Sequence, residues 1–149
     1  MAVTEFDDNC SFCAIARGQD PGVELVAEGA DWVAFFPLNP ATPGHTLVIP
    51  RAHVRNLWDA DLELAGVVMR AAVLVGRAID TALKPQGMNL ITSDGRVAEQ
   101  TVFHLHLHLV PRWRNDGFGQ IWPTGHRYEN VDKTNLAGSI KSAFGEPSR

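Results

Sequence analysis

Three of the chain's six histidines fall within five residues. In the stretch Phe103-His104-Leu105-His106-Leu107-His108-Leu109, imidazole alternates with leucine. A β-strand turns successive side chains to opposite faces, so as a strand this segment groups three imidazoles on one side and the leucines on the other. A helix would scatter the rings around its axis. Grouped imidazoles have three possible uses. A ring with a pKa near about 6.5 is largely neutral at pH 7, so it can bind or attack an electrophilic anion. Histidines at i and i+2 can share one metal. Alternatively, the rings are simply the polar face of a half-buried strand, although Thr, Lys or Ser would serve that purpose equally well.

Cys10-Ser11-Phe12-Cys13 places two thiols three residues apart. A redox pair would open a helix after a strand, whereas this pair precedes a turn signal at Pro21-Gly22. Two unrelated thiols are a second reading. Half of a tetrahedral zinc site, completed by two further N or S ligands, is a third. Two cysteines cannot supply a disulfide framework for a chain of this size. Arg112-Trp113-Arg114 could grip phosphate or stack on a base, and Trp113 could equally be packing. No Gly-x-x-x-x-Gly-Lys-Ser/Thr loop and no Gly-x-Gly-x-x-Gly turn occurs, so P-loop and Rossmann readings lack their central signal.

These residues must be positioned by regular elements. Short strands are expected at Val23–Glu28, Trp32–Phe36, Thr46–Ile49 and Met88–Ser93, with the histidine segment, Thr101–Pro111, as the last. The segment from Pro37 to Gly44 carries three prolines and must be loop. Leu62, Ala65, Val68, Met69, Ala72, Val75, Ile79, Ala82 and Leu83 follow helical spacing, with Asp59 or Asp61 as cap and Pro85 and Gly87 as the stop. This helix reads as core packing with a solvated face. Trp32, Phe35 and Phe36 read mainly as core. Residues 114–149 lack periodicity beyond one short helix near the end, and Trp122, Pro123 and His126 within them carry no assignment.

At 149 residues, with 45% hydrophobic and 20% charged residues, the composition is that of one globular domain and excludes a disordered tail, a collagen or a coiled coil. A net charge of −4 gives no long-range attraction to nucleic-acid polymers or anionic membranes, while leaving room for a small nucleotide held by local groups. Glu63, Arg70, Arg77 and Asp80 interrupt the most apolar stretch, so a membrane span is not expected. The N-terminus has no apolar signal region. A reducing, cytoplasmic location is the expectation.

The histidine segment resembles the signature of the histidine triad (HIT) family, in which three histidines alternate with apolar residues. Ala98-Glu99-Gln100-Thr101-Val102-Phe103 is similar to its lead-in, and Pro43-Gly44-His45-Thr46-Leu47-Val48-Ile49-Pro50 to its Pro-Gly-His block. Cys10-Ser11-Phe12-Cys13-Ala14-Ile15 resembles the N-terminus of its bacterial branch. The likeness covers roughly residues 10 to 113 of a single 1–149 domain. It implies an α+β fold with a mainly antiparallel sheet of about five strands and one long helix, paired as a homodimer. It also implies attack on the α-phosphorus of a purine nucleotide, either a nucleoside phosphoramidate or a dinucleoside polyphosphate. His106 is then the nucleophile, with His108 and His45 beside the phosphate. Asn39, Ser93, Gln100 and Thr101 are the implied nucleotide and phosphate contacts. Cys10, Cys13, His53 and His104 are the implied ligands of a structural zinc. The chain departs from the family at Pro37, where many members carry Asp, at Ser93 in place of Asn or Gln, and at Glu99 in place of Gly. Those departures motivate a second expectation, a zinc-stabilised protein that senses nucleotides without turnover.

Overall fold

The computed structural model describes residues 6–125 and 128–144. His126 lies outside the described residues. The chain forms two compact units, divided after Gly119. In the first, α1 (Ser11–Ala16), β1 (Leu25–Glu28), β2 (Trp32–Phe35), β3 (Thr46–Pro50), α2 (Leu62–Leu83), β4 (Gly87–Ile91) and β5 (Leu107–Arg112) follow in order. The strands make one five-stranded sheet in the order β1-β2-β3-β5-β4. Every neighbouring pair is antiparallel. The second unit contains α3 (Lys133–Ala143), capped by the Asp132 carboxylate on the Asn135 N–H.

Period-two alternation gives the sheet two apolar faces. Ala34, Val48, Leu107 and Leu109 face α2, which meets them with Val68, Ala71, Ala72, Val75 and Ile79. Val33, Phe35, Leu47 and Ile49 face α1, which contributes Phe12, Ile15 and Ala16. The α2 N-terminus is capped by Asp61, whose carboxylate accepts the Leu64 N–H at 2.8 Å. Lys84 ends the helix in the left-handed conformation at φ 47°.

Two elements differ from the sequence expectation. α1 was not anticipated, because six residues are too few to show a helical period. The histidine segment is a ladder strand only from Leu107 onward, and 101–106 precede it as irregular chain. The partners are the reason. β3 stops at Pro50, which has no N–H to donate. The Leu105 N–H instead donates to the Val54 carbonyl at 2.6 Å. On the other side β4 ends at Ile91, and the Thr92 hydroxyl donates to the His106 carbonyl at 2.9 Å in place of a ladder bond.

Candidate active site and metal centre

The imidazoles of the triad nevertheless share the α1 side of the sheet, while Leu105, Leu107 and Leu109 are buried towards α2. Backbone groups fix the tautomers of His106 and His45, because a carbonyl can only accept and an amide N–H can only donate, and His45 in turn fixes that of His108. His106 Nδ1–H donates to the His104 carbonyl at 2.7 Å, leaving a lone pair on Nε2. The Ala41 N–H donates to His45 Nδ1 at 3.0 Å, so His45 carries its proton on Nε2. That proton is given to His108 Nδ1, 2.9 Å away. The remaining proton of His108 therefore sits on Nε2. The His106 and His108 rings lie 4.9 Å apart between centroids. The result is one ring with a free lone pair beside another with a free N–H.

Burial is the leading cause that lowers the pKa of all three rings, with His108 pushed down to about 4. For His108, the neighbouring His106 and His45 add to the effect. His106 is therefore neutral at pH 7. The unfolded chain takes up a proton at His108 near about 6.5, whereas the folded chain resists until about 4, so this contribution to stability is complete above 6.5 and lost as pH falls towards 4. We expect the denaturation midpoint to fall across that window. The part due to this half-buried ring is on the order of 1–2 kcal/mol after solvent screening. It is the part that disappears in His108→Gln; an identical acid slope in that variant would refute it.

His45 reaches this position through a tight loop. Gly44 has φ 81°, a left-handed conformation that favours glycine, and a Cβ there would meet Leu83 Cδ1 at 2.3 Å and displace that side chain. The Thr42 hydroxyl ties the loop to the end of β5 by donating to the Pro111 carbonyl at 2.7 Å.

The loop leading into the triad is organised by Gln100, which is 2% exposed. Its amide donates to the carbonyls of Arg55 and Val102 at 2.6 and 3.2 Å, and its oxygen accepts the Gly95 N–H at 2.9 Å. Its backbone N–H goes to the Gly95 carbonyl at 3.1 Å. Gln100 therefore supports the loop with donors already engaged, while Thr101 is exposed beside it. Asn39 is exposed on the 37–44 loop, and Ser93 is half-buried just beyond β4. Glu99 stands in the left-handed region at φ 68°, a conformation that suits glycine and strains a residue with a Cβ. Glu99→Gly is expected to raise stability by about 0.5–1 kcal/mol, once glycine's greater freedom in the unfolded chain is set against the relieved strain. Urea denaturation of the two proteins checks this, and a less stable variant would contradict it.

A second cluster lies on the same side of the fold. Donor atoms of Cys10, Cys13, His53 and His104 all lie within 4.8 Å of one another. The His104 Nδ1 is 3.6 Å from each sulfur, and the His53 Nδ1 is 3.3 Å from the Cys13 sulfur. A tetrahedron of two S and two N donors around zinc requires separations of about 3.3–3.8 Å. His104 Nε2–H donates to the Pro50 carbonyl at 2.9 Å, which leaves Nδ1 unprotonated towards the thiols, as a ligand needs. Burial chiefly holds His104 near 4 and therefore neutral. The same burial pushes the Cys13 thiol up, so the thiolate form needs a cation beside it. The donor set fits zinc, and its four protein ligands leave no open position. Redox pairing of the cysteines has no strand-to-helix setting here.

The Trp113 N–H donates to the Asp116 carboxylate at 3.1 Å. The same carboxylate holds Arg112 at 2.6 Å, while Arg112 also lies over the Phe118 ring. The turn after β5 is thus a packed unit in which Arg112 is engaged by the protein itself. Phe12 is the participant that sequence reasoning missed. Its position inside the Cys-x-x-Cys spacing was the available signal, since both flanking residues point to one centre.

The model of the HIT domain matches residues 21–115. The crystal structure of a HIT family protein from Bacillus anthracis is 37% identical, with 91% of this chain and 97% of that chain covered and a TM-score of 0.82. A Zn-bound histidine triad family protein from Mycobacterium smegmatis is 33% identical over 90% of this chain and 97% of that one, with a TM-score of 0.69. The adenosine 5'-monophosphoramidase hnt1 of Schizosaccharomyces pombe is 34% identical over 117 residues, 78% of this chain and 84% of the relative. With the domain match spanning most of the chain and the triad, its partner His45 and the four-ligand cluster all formed, the chain belongs to the HIT family.

Proposed function

We propose that the protein is a hydrolase or nucleotidyl transferase that attacks the α-phosphorus of a purine nucleotide, with His106 as the nucleophile. The observation that carries this reading is the His106 tautomer. A backbone carbonyl holds the Nδ1 proton, so Nε2 has its lone pair beside the Nε2–H of His108. The His106–phosphorus bond forms as the bond to the leaving group breaks. Water then displaces His106, the electron pair returns to Nε2, and a nucleoside monophosphate is released. His108 donates its N–H to a phosphate oxygen or to the leaving atom, and His45 orients His108. The exposed Thr101 hydroxyl contributes a phosphate contact, with Asn39 and Ser93 on the nucleotide side. The fission-yeast relative is by name a phosphoramidase, which favours a nucleoside phosphoramidate over a dinucleoside polyphosphate.

Zinc held by Cys10, Cys13, His53 and His104 is structural in this reading and tethers α1 to the sheet. A second copy of the chain is the partner. Leu62, Met69 and Val73 leave an exposed apolar stripe along α2, and among the described residues β4 has a neighbour on one side only. A two-chain mass by light scattering is the expected result, and a single-chain mass would remove the pairing. A cytoplasmic location is part of this proposal, supported by two cysteines that are free of a disulfide and available as reduced ligands.

The second reading, nucleotide sensing without turnover, draws on the Glu99 carboxylate at the loop before the triad. Incubation with adenosine phosphoramidate and diadenosine tetraphosphate, together with calorimetry of AMP binding, separates the two. Monophosphate released from either substrate supports the hydrolase. Saturable AMP binding with no product from either supports the sensor.

A further inference from the structure

Phe12 sits between Cys10 and Cys13 in α1 and is 9% exposed. Its ring meets three others edge to face. The centroid separations are 5.3 Å to His106, 6.0 Å to His104 and 5.4 Å to Phe35. Phe12 thus touches the ring of one metal ligand and the ring carrying the free lone pair. One hydrogen bond fixes His106, from Nδ1 to the His104 carbonyl, and a single bond leaves an imidazole free to pivot about it. The Phe12 edge, at 86° to the His106 plane, and the His108 ring, at 69°, close off that motion from two directions.

Phe12 is itself held from two sides. Six residues are too few for an autonomous helix. At the α1 C-terminus, Arg51 donates to the Ala16 carbonyl and also pairs with Glu28. At the N-terminal end the anchoring groups are Cys10 and Cys13, whose sulfurs face His104 and His53. Whatever holds the cysteines therefore holds Phe12.

We propose that Phe12 is a positioning residue for His106, and that the state of the four-ligand centre reaches His106 through the Phe12 ring. The centre then does more than stabilise the fold, because it sets the orientation of a catalytic ring two residues beyond one of its ligands. The kinetic part of the test below rests on His106 being the nucleophile; the spectroscopic part does not.

The experiment compares wild type, Phe12→Ala and Phe12→Leu, each loaded with zinc and each treated with chelator. The readouts are bound zinc and the His106 ring signals in long-range proton–nitrogen correlation spectra. In wild type, zinc removal is expected to displace the His106 signals. In Phe12→Ala, with zinc bound one per chain, that displacement is expected to be lost, and in Phe12→Leu to be reduced. If Phe12→Ala does not fold or bind zinc, Phe12→Leu alone decides. An equal zinc-dependent displacement in the variant and wild type overturns the proposal, because the coupling would then run through the His104 carbonyl. No displacement in wild type overturns it as well. In turnover, kcat is expected to fall about 10- to 100-fold with KM unchanged, as for a misplaced reacting group. A raised KM at constant kcat would instead make Phe12 a substrate contact. Absence of turnover in wild type counts against the hydrolase reading alone, since the ring signals still report on Phe12.

Discussion

His106→Asn is expected to lower nucleoside monophosphate release on the order of 10⁴-fold or more, and to remove any covalent nucleotidyl adduct seen by intact-protein mass measurement. The size follows from the site. His106 is the ring whose Nε2 lone pair is left free by a backbone bond, and no other ring of the triad is equivalent to it. His108 presents a proton on the corresponding atom, and His104 turns its lone pair towards Cys10 and Cys13. The cost in stability is expected to be much smaller, about 1–2 kcal/mol for exchanging one buried polar side chain for another. His45→Ala should lower turnover less than His106→Asn, because it frees His108 to rotate without removing the attacking atom. Near wild-type turnover in folded His106→Asn would end the nucleophile assignment, whatever His45→Ala does.

Withdrawal of zinc from the proposed Cys10, Cys13, His53 and His104 site by a chelator is the second large effect expected. Binding to the native state alone, with free metal about a thousandfold above its Kd, stabilises by about 4 kcal/mol. For a chain of this length that corresponds to a fall in Tm of about 8–16 °C when the metal is withdrawn. Cys13→Ser is expected to lose the metal and to show no further response to chelator. Cys13 is fully buried and its sulfur approaches both His53 and His104, so its loss removes the ligand that joins both halves of the cluster. Thermal melts with and without chelator, beside elemental analysis of untagged protein, make the measurement. A Tm indifferent to chelator in metal-replete wild type would show that α1 is held by Phe12, Ile15 and Arg51 without help.

The alternation of His104, His106 and His108 with leucine was enough to read one polar and one apolar face, because side-chain direction along extended chain depends only on local geometry. The same holds for much of α2, where the Asp61 cap and the burial of Val68, Ala72, Val75 and Ile79 follow from one stretch of sequence, although Leu62, Met69 and Leu83, which share that spacing, are exposed. The Cys-x-x-Cys spacing marked one half of a candidate metal centre, and the resemblance to a family pointed to His53 and His104, whose donor atoms the fold brings beside the two thiols. Only the tertiary structure decided how the rings are protonated. The bonds that set His45 and His106 are local, from the Ala41 N–H and to the His104 carbonyl, but His104 takes its tautomer from the Pro50 carbonyl and His108 from the His45 ring, both far away in sequence. It also decided where the histidine strand begins, since a ladder needs a partner and Pro50 withdraws it. Finally, it brought Phe12 against His106, a contact spanning more than ninety positions that no local pattern encodes, because it arises only when α1 is folded onto the sheet.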